Sequence, residues 1–264
     1  MIYTALDLDI RDNIAWITLN RPEQYNALNA AMAKELLDVA NRCGTDKRVR
    51  AAVLTGTGNK AFCAGGDIGG FAVKPEQLEM RLKEMTTVLH AAVSRFAWMR
   101  APLVAAINGV AAGAGLSVVA FCDLAIAADH AKFTSAYTKL GFTPDGSSTY
   151  FLTRLIGTRR AAELYMTNRT LDAAEALDWG LVNKVVPAAE LMGEVTALAE
   201  QLAAGPTEAF GGVKELLQTA PNDTLESQME RETRVLARVS TTTADGHEGV
   251  KAFLEKRAPV FKGE

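Results

Sequence analysis

Histidine and cysteine are scarce in this chain, with three of each in 264 residues. The histidines, His90, His130 and His247, are far apart, so a metal site has nothing to build on. The cysteines, Cys43, Cys63 and Cys122, form no CxxC pair and are odd in number, which points to a reducing compartment rather than a disulfide framework. An excess of basic residues is missing too. The 28 Lys and Arg against 31 Asp and Glu leave a formal net charge of −3, which argues against a nucleic-acid or membrane-surface partner. The opening Met1-Ile2-Tyr3-Thr4-Ala5-Leu6-Asp7 alternates like a strand and has no basic region ahead of a long apolar stretch. No signal peptide or transmembrane span is therefore expected, and the cytoplasm is the expected compartment. What is present is 48% hydrophobic and 22% charged, ordinary for a globular protein with one main, well-buried core.

Two glycine-rich stretches carry the most information. They are Phe62-Cys63-Ala64-Gly65-Gly66-Asp67 and Asn108-Gly109-Val110-Ala111-Ala112-Gly113-Ala114-Gly115. Upstream of each lies a short apolar run bounded by turn residues, at 51–55 and 103–107, which reads as a buried parallel strand. Backbone without side chains lets peptide N–H groups approach a ligand atom closely. The apolar run from Leu116 to Phe121 begins a helix beside Gly113 and Gly115, and a helix N-terminus offers free N–H groups and partial positive charge. Two such loops face to face would form an oxyanion hole. The same glycines would also serve tight strand-to-helix packing, and spacing alone leaves both readings open.

Along the rest of the chain, 3–9 and 13–19 read as a hairpin about Asp12-Asn13, 30–42 as an amphipathic helix, 76–98 as a long helix and 124–127 as a further strand. From about residue 158 the strand pattern stops, and helices follow, as at 172–179 and 224–239. Gly56-Thr57-Gly58-Asn59-Lys60-Ala61 superficially matches a dinucleotide fingerprint, but no helix begins at its glycines. Gly115-Leu116-Ser117 lacks the second glycine of a nucleophile elbow, which argues against a serine hydrolase.

Four segments, in order and spanning nearly the whole chain, resemble the crotonase (enoyl-CoA hydratase/isomerase) superfamily. Asn20-Arg21-Pro22-Glu23-Gln24-Tyr25-Asn26-Ala27-Leu28 is similar to its "NRP…NAL" loop, and Phe62-Cys63-Ala64-Gly65-Gly66-Asp67-Ile68 to its "FxAGxDI" segment. Pro102 to Asp123 is similar to its glycine-rich core, and Phe253-Leu254-Glu255-Lys256-Arg257 to its "FxxKR" ending. The resemblance implies an α/β fold, a spiral of ββα turns over about 1–200, with a helical region over 201–264 that makes trimer contacts. It implies a homotrimer or a dimer of trimers acting on an acyl-CoA thioester, with coenzyme A as part of the substrate and no prosthetic group. Gly66 and Ala114 would supply the two oxyanion-hole N–H groups. Asn26, Ala27, Leu28, Ala64, Gly65, Asp67 and Ile68 would line the coenzyme A. Phe253 and Lys256 would come from the C-terminal helix, often that of a neighbouring subunit.

Hydratases of the family carry two glutamates where this chain has Ser117 and Tyr137, neither of which can act as a carboxylate base. The remaining candidate is Asp145, in Gly141-Phe142-Thr143-Pro144-Asp145-Gly146. That segment resembles the loop of two single-carboxylate branches, the peroxisomal-type Δ3,Δ2-enoyl-CoA isomerases and the phenylacetate-pathway ring-epoxide isomerase. One carboxylate suffices for an allylic shift, because the base can take a proton from C2 and return it at C4 on the same face. Asp145 could alternatively cap a helix beginning near 147. A third branch, the 4-chlorobenzoyl-CoA dehalogenase, places an aspartate nucleophile at this position with a histidine base on the long helix. His90, twelve residues before Pro102, is in that register, although the dehalogenase has an indole where this chain has Tyr137. The plainer reading of His90 is a hydrogen-bonded core residue on the helix's apolar face, next to Leu89 and Ala91. The expectation is an acyl-CoA isomerase, with hydratase and dehalogenase as alternatives. A crotonase-fold binding protein would instead show a basic patch and no carboxylate.

Overall fold

The computed structural model describes residues 2–264. β1 (Leu6–Arg11) and β2 (Ile14–Leu19) form an antiparallel hairpin, and Asp12 and Asn13 turn it with φ of 52° and 62°. Asx residues tolerate that left-handed geometry, which matches the strand twist of a two-residue turn. α1 (Ala30–Thr45) starts where the Asn29 side chain accepts the Met32 N–H. The chain then repeats one unit: a long strand, a short strand and a helix. The repeats are β3 (Ala51–Gly56), β4 (Ala61–Cys63) and α2 (Pro75–Trp98); β5 (Leu103–Ile107), β6 (Val110–Ala112) and α3 (Ala114–Phe121); β7 (Leu124–Ala128), β8 (Lys132–Thr134) and α4 (Ser148–Thr167).

The long strands join one sheet and the short strands another, so the chain spirals. With β9 (Thr170–Asp172), α5 (Ala173–Asp178) and β10 (Lys184–Val186), the sheets read β1-β2-β3-β5-β7-β10 and β4-β6-β8-β9. β9 and β10 correct the expectation that strands stop near 158. Each is three residues long, too short for alternation or an apolar run to register in the sequence. The central strands β3 and β5 are buried on both faces, which is why they read as continuous apolar runs.

Alternate residues divide between two cores. Ala51 and Val53 of β3, with Val104 and Ala106 of β5, pack beneath α6 (Leu191–Ala203) through Leu191, Val195, Ala199 and Ala203. Ala52, Leu54, Leu103 and Ala105 face the larger core beneath the other helices. Each fully buried aliphatic side chain contributes about 1.5–3 kcal/mol of burial free energy, so these faces, rather than helix propensity, hold the layers together. On α2 only Leu89, Ala92, Val93, Phe96 and Ala97 are buried, the spacing of one helical stripe. His90 is one residue off that stripe.

α7 (Thr207–Thr219), α8 (Leu225–Thr242) and α9 (Ala244–Leu254) complete the chain. The division expected at about residue 200 falls inside α6, whose Ala203 still packs on the sheet. Lys214 of α7 is buried, lies 2.7 Å from the Asp123 carboxylate and donates to the Phe96 and Ala101 carbonyls. Such a lysine must be paired where it lies, so the C-terminal region is locked to the core. Among the described residues, no helix is long and apolar enough to cross a membrane.

Candidate active site

β4 and β6 run parallel and deliver the two glycine loops side by side. Leu28 forms a parallel bridge to the first loop, its N–H donating to Gly65 O and its carbonyl accepting from Asp67 N. That pattern uses the groups on either side of Gly66 and leaves the Gly66 N–H unspent. In the second loop Gly113, at φ 53° and ψ −124°, turns the chain into α3, so the Ala114 N–H lies in the first turn with no helical acceptor. Among the described residues, neither N–H donates to a backbone acceptor. The loops touch: a Cβ added to Gly113 would sit 3.6 Å from the Gly65 Cα. Close packing and a pair of free donors, left open by the sequence, are both present.

Asp145 reaches the same place from the loop between β8 and α4. The capping alternative is corrected here. The residue at the N-terminus of α4 is Ser147, in a left-handed conformation with no side-chain cap bond, and only the backbone carbonyl of Asp145 bonds toward the helix, to Ser148 N. The Asp145 carboxylate turns away to His90, whose Nε2 lies 2.9 Å from Oδ1. His90 is about half exposed, so the buried apolar-face alternative is corrected as well. Its place off the apolar stripe of α2 leaves the imidazole facing the loop. Among the described residues Asp145 Oδ2 has no hydrogen-bond partner.

Ser117, on α3, and Tyr137, after β8, converge on the backbone of this loop. Ser117 Oγ donates to the Asp145 carbonyl at 2.8 Å, Tyr137 Oη lies 3.3 Å from the same oxygen, and the two hydroxyls are 3.1 Å apart. Burial, with the Asp145 charge nearby, raises the Tyr137 phenol well above its ordinary range, so it stays protonated at neutral pH. Gly146, at φ 65°, lies against Ser117, where a Cβ would meet the serine Cβ at 3.0 Å. The role of Ser117 was missed by sequence reasoning, which identified it only as a missing glutamate. No local pattern signals a contact spanning 28 residues.

The two glycine loops, Tyr137 and Asp145 border a cavity of about 500 Å³. Its walls are Leu28, Ile68, Phe71, Leu82, Met85, Leu89, Leu140 and Phe142, and the ionisable side chains lining it are Asp145 and Tyr137. The size and apolar lining suit an acyl group. Cys63 lies behind the first glycine loop, and burial pushes its thiol up to about 12, which leaves no thiolate to act as nucleophile.

Leu28, Ala64, Gly65, Gly66, Ile68, Ala114, Tyr137 and Asp145 all border the cavity. Asn26, Ala27 and Asp67 do not. Asn26 is buried, with its side chain accepting from Arg21 N and donating to Thr57 O and Ala61 O, so it ties loops together. Asp67 pairs with Arg21 at 2.8 Å, and Arg21 also donates to Ala27 O. The "NRP…NAL" segment is thus clamped to the first glycine loop. Phe253, 82% exposed, and Lys256 lie outside the cavity of their own chain.

The enoyl-CoA hydratase/isomerase family model matches residues 9–264. The chain belongs to the enoyl-CoA hydratase/isomerase family. A 1,2-epoxyphenylacetyl-CoA isomerase of Escherichia coli (strain K12) is 37% identical to it over 259 residues, 97% of each chain. A 4-chlorobenzoyl coenzyme A dehalogenase of Arthrobacter sp. is 40% identical over 230 residues, 86% of this chain and 82% of the relative. The crystal structure of an enoyl-CoA hydratase from Bacillus anthracis superposes with a TM-score of 0.92 at 33% identity, covering 99% of this chain and 100% of the other. The α/β spiral is therefore the crotonase fold, and the chain is an enzyme of that family. The relatives' names describe three different reactions, so within the family the site residues must discriminate.

Proposed function

We propose that this enzyme isomerises acyl groups carried as CoA thioesters, shifting a double bond or opening a ring epoxide. The observation that carries this reading is the single carboxylate: Asp145 is the one acid lining the cavity, and hydroxyls stand at both glutamate positions of the hydratases. Syn hydration must hold a water and move two protons, which one carboxylate does poorly. For the allylic shift, Asp145 Oδ2 removes a proton from C2, and the electron pair moves into the thioester to give a dienolate. The charge on the thioester oxygen is stabilised by the Gly66 and Ala114 N–H groups, and Asp145 returns its proton at C4 as the double bond settles between C2 and C3. A comparison of 3-enoyl-, epoxyphenylacetyl-, 2-enoyl- and 4-halobenzoyl-CoA tests the reading. Isomerisation of one of the first two at the highest kcat/KM is expected, and preferred hydration of 2-enoyl-CoA counts against it.

The contact at 2.9 Å between His90 and Asp145 favours a second reading, halide displacement. Asp145 would attack the ring carbon, halide would leave, and a water activated by His90 would hydrolyse the aryl ester. His90→Gln separates the two. In the isomerase it changes kcat by less than about tenfold, because proton transfer runs through Asp145. In a dehalogenase it traps the ester, visible by mass spectrometry as an added acyl mass on the Asp145 peptide after mixing with 4-chlorobenzoyl-CoA. No adduct is expected.

Exposed apolar side chains on α8 and α9, among them Leu236, Val250, Phe253 and Leu254, support assembly as a trimer or a pair of trimers. In that assembly Phe253 and Lys256 would reach a neighbour's coenzyme A. Sedimentation should show the oligomer, and Lys256→Ala should weaken acetoacetyl-CoA binding several-fold. A stable monomer indifferent to that ligand would remove the basis of this reading. The expected setting is cytoplasmic.

A further inference from the structure

The loop carrying Asp145 is held in an unusual way. Gly141, Gly146 and Ser147 have φ of 72°, 65° and 65°, and the helix that follows has no side-chain cap. Among the described residues, no backbone N–H from Thr143 to Gly146 donates a hydrogen bond. Of the carbonyls in that stretch, only that of Asp145 is bonded beyond the loop and the helix it leads into, and its partners there are Ser117 and Tyr137. Both hydroxyls are anchored on rigid elements. Ser117 is fully buried in α3, directly after the second glycine loop, and Tyr137 stands at the turn Thr138–Leu140, its backbone accepting from Leu140 N and Phe142 N.

Besides the long 3.4 Å contact from Ser148 N at the start of the helix, the Asp145 carbonyl oxygen is held by two hydroxyls on different elements. They hold the peptide plane between Asp145 and Gly146, and that plane sets the direction of the Asp145 Cα–Cβ bond toward the cavity and His90. We propose that Ser117 and Tyr137 are positioning residues, a two-hydroxyl clamp that acts on Asp145 through its main-chain carbonyl. The proposal rests on Asp145 being the acid/base of the reaction. The residues at the two replaced glutamate positions then move no protons, and they aim the carboxylate that does. Tyr137, kept protonated by burial, remains a donor throughout the working range. The contact of Ser117 with Gly146 explains why the clamp closes only over a residue without a side chain.

The test uses Ser117→Ala, Tyr137→Phe and the double variant of the full chain. Hydrogen–deuterium exchange at the bonded amides on either side of the loop, Gly141 and Phe142 before it and Ser148 and Tyr150 after it, reads the clamp without substrate, and kcat and KM are read on whichever CoA thioester the wild type converts. Faster exchange confined to these amides is expected in each single variant. A fall in kcat of between about tenfold and 100-fold is expected with KM within about twofold, the cost of a misaimed catalytic group. The double variant should lose little more than the worse single one, because both hydroxyls serve one oxygen. The pH–rate profile should keep its shape. Unchanged exchange, a rise in KM alone, or loss of the basic limb in Tyr137→Phe would each overturn the clamp, the last by making Tyr137 an acid that touches substrate. Faster exchange at these amides in a protein that isomerises nothing would sink the proposed reaction and leave the clamp standing.

Discussion

Asp145→Asn is expected to leave a folded protein that binds CoA thioesters and turns them over at least about 100-fold more slowly, the typical loss of a general base. The amide is isosteric and keeps a hydrogen bond to His90. The side chain it replaces is about one-third exposed and caps no helix, so stability should change by less than about 1 kcal/mol. Thermal melting and acetoacetyl-CoA titration check the first part, and steady-state kinetics the second. Turnover within a few-fold of wild type would remove Asp145 from the mechanism. A loss of folding would instead mean that the carboxylate serves the loop.

Gly115→Ala is expected to cost both stability and activity. In most helices the change is favourable by up to about 1 kcal/mol. Here a Cβ would overlap the Cys63 carbonyl oxygen and sit 2.8 Å from the Cys63 carbonyl carbon, both backbone atoms that cannot swing aside. Relief requires α3 to move away from β4. Overpacking of this kind costs about 3 kcal/mol, a melting temperature lower by roughly 6–12 °C for a chain of this size. The movement also separates the Gly66 and Ala114 donors, and losing one such donor lowers kcat by about 10²–10³. Calorimetry and kinetics on the residual folded protein check both effects. A variant as stable and active as wild type would show that the two loops need not lie this close.

Much of the fold could be read from the chain. The strands at 51–55 and 103–107 were legible because strands buried on both faces are unbroken apolar runs, and β3 and β5 occupy those places. The helix expected at 76–98 spans Pro75–Trp98. β9 and β10 were not legible, since three residues carry no period. At the site, the two glycine loops stood out because glycine is the residue that close backbone approach demands. The resemblance sets Asn26 and Asp67 along the coenzyme A largely through backbone groups, and says nothing of where their side chains go. The structure spends their side chains on Thr57, Ala61 and Arg21, contacts that reach across 31 to 46 residues.

The sequence by itself determined the family, the two glycine-rich loops and the lack of carboxylates at 117 and 137, since each is a matter of which residues stand in order along the chain. Tertiary structure alone decided what Asp145 faces. Capping a helix and meeting His90 are both within reach of an aspartate in that loop, and local sequence supports either. The left-handed turn at Ser147 and the two hydroxyls on the Asp145 carbonyl rotate the carboxylate off the helix. It then meets an imidazole 55 residues away, because α2 presents its apolar stripe to the core and His90 falls just beside it. Side-chain direction is set by packing across elements, and no stretch of neighbouring residues encodes it.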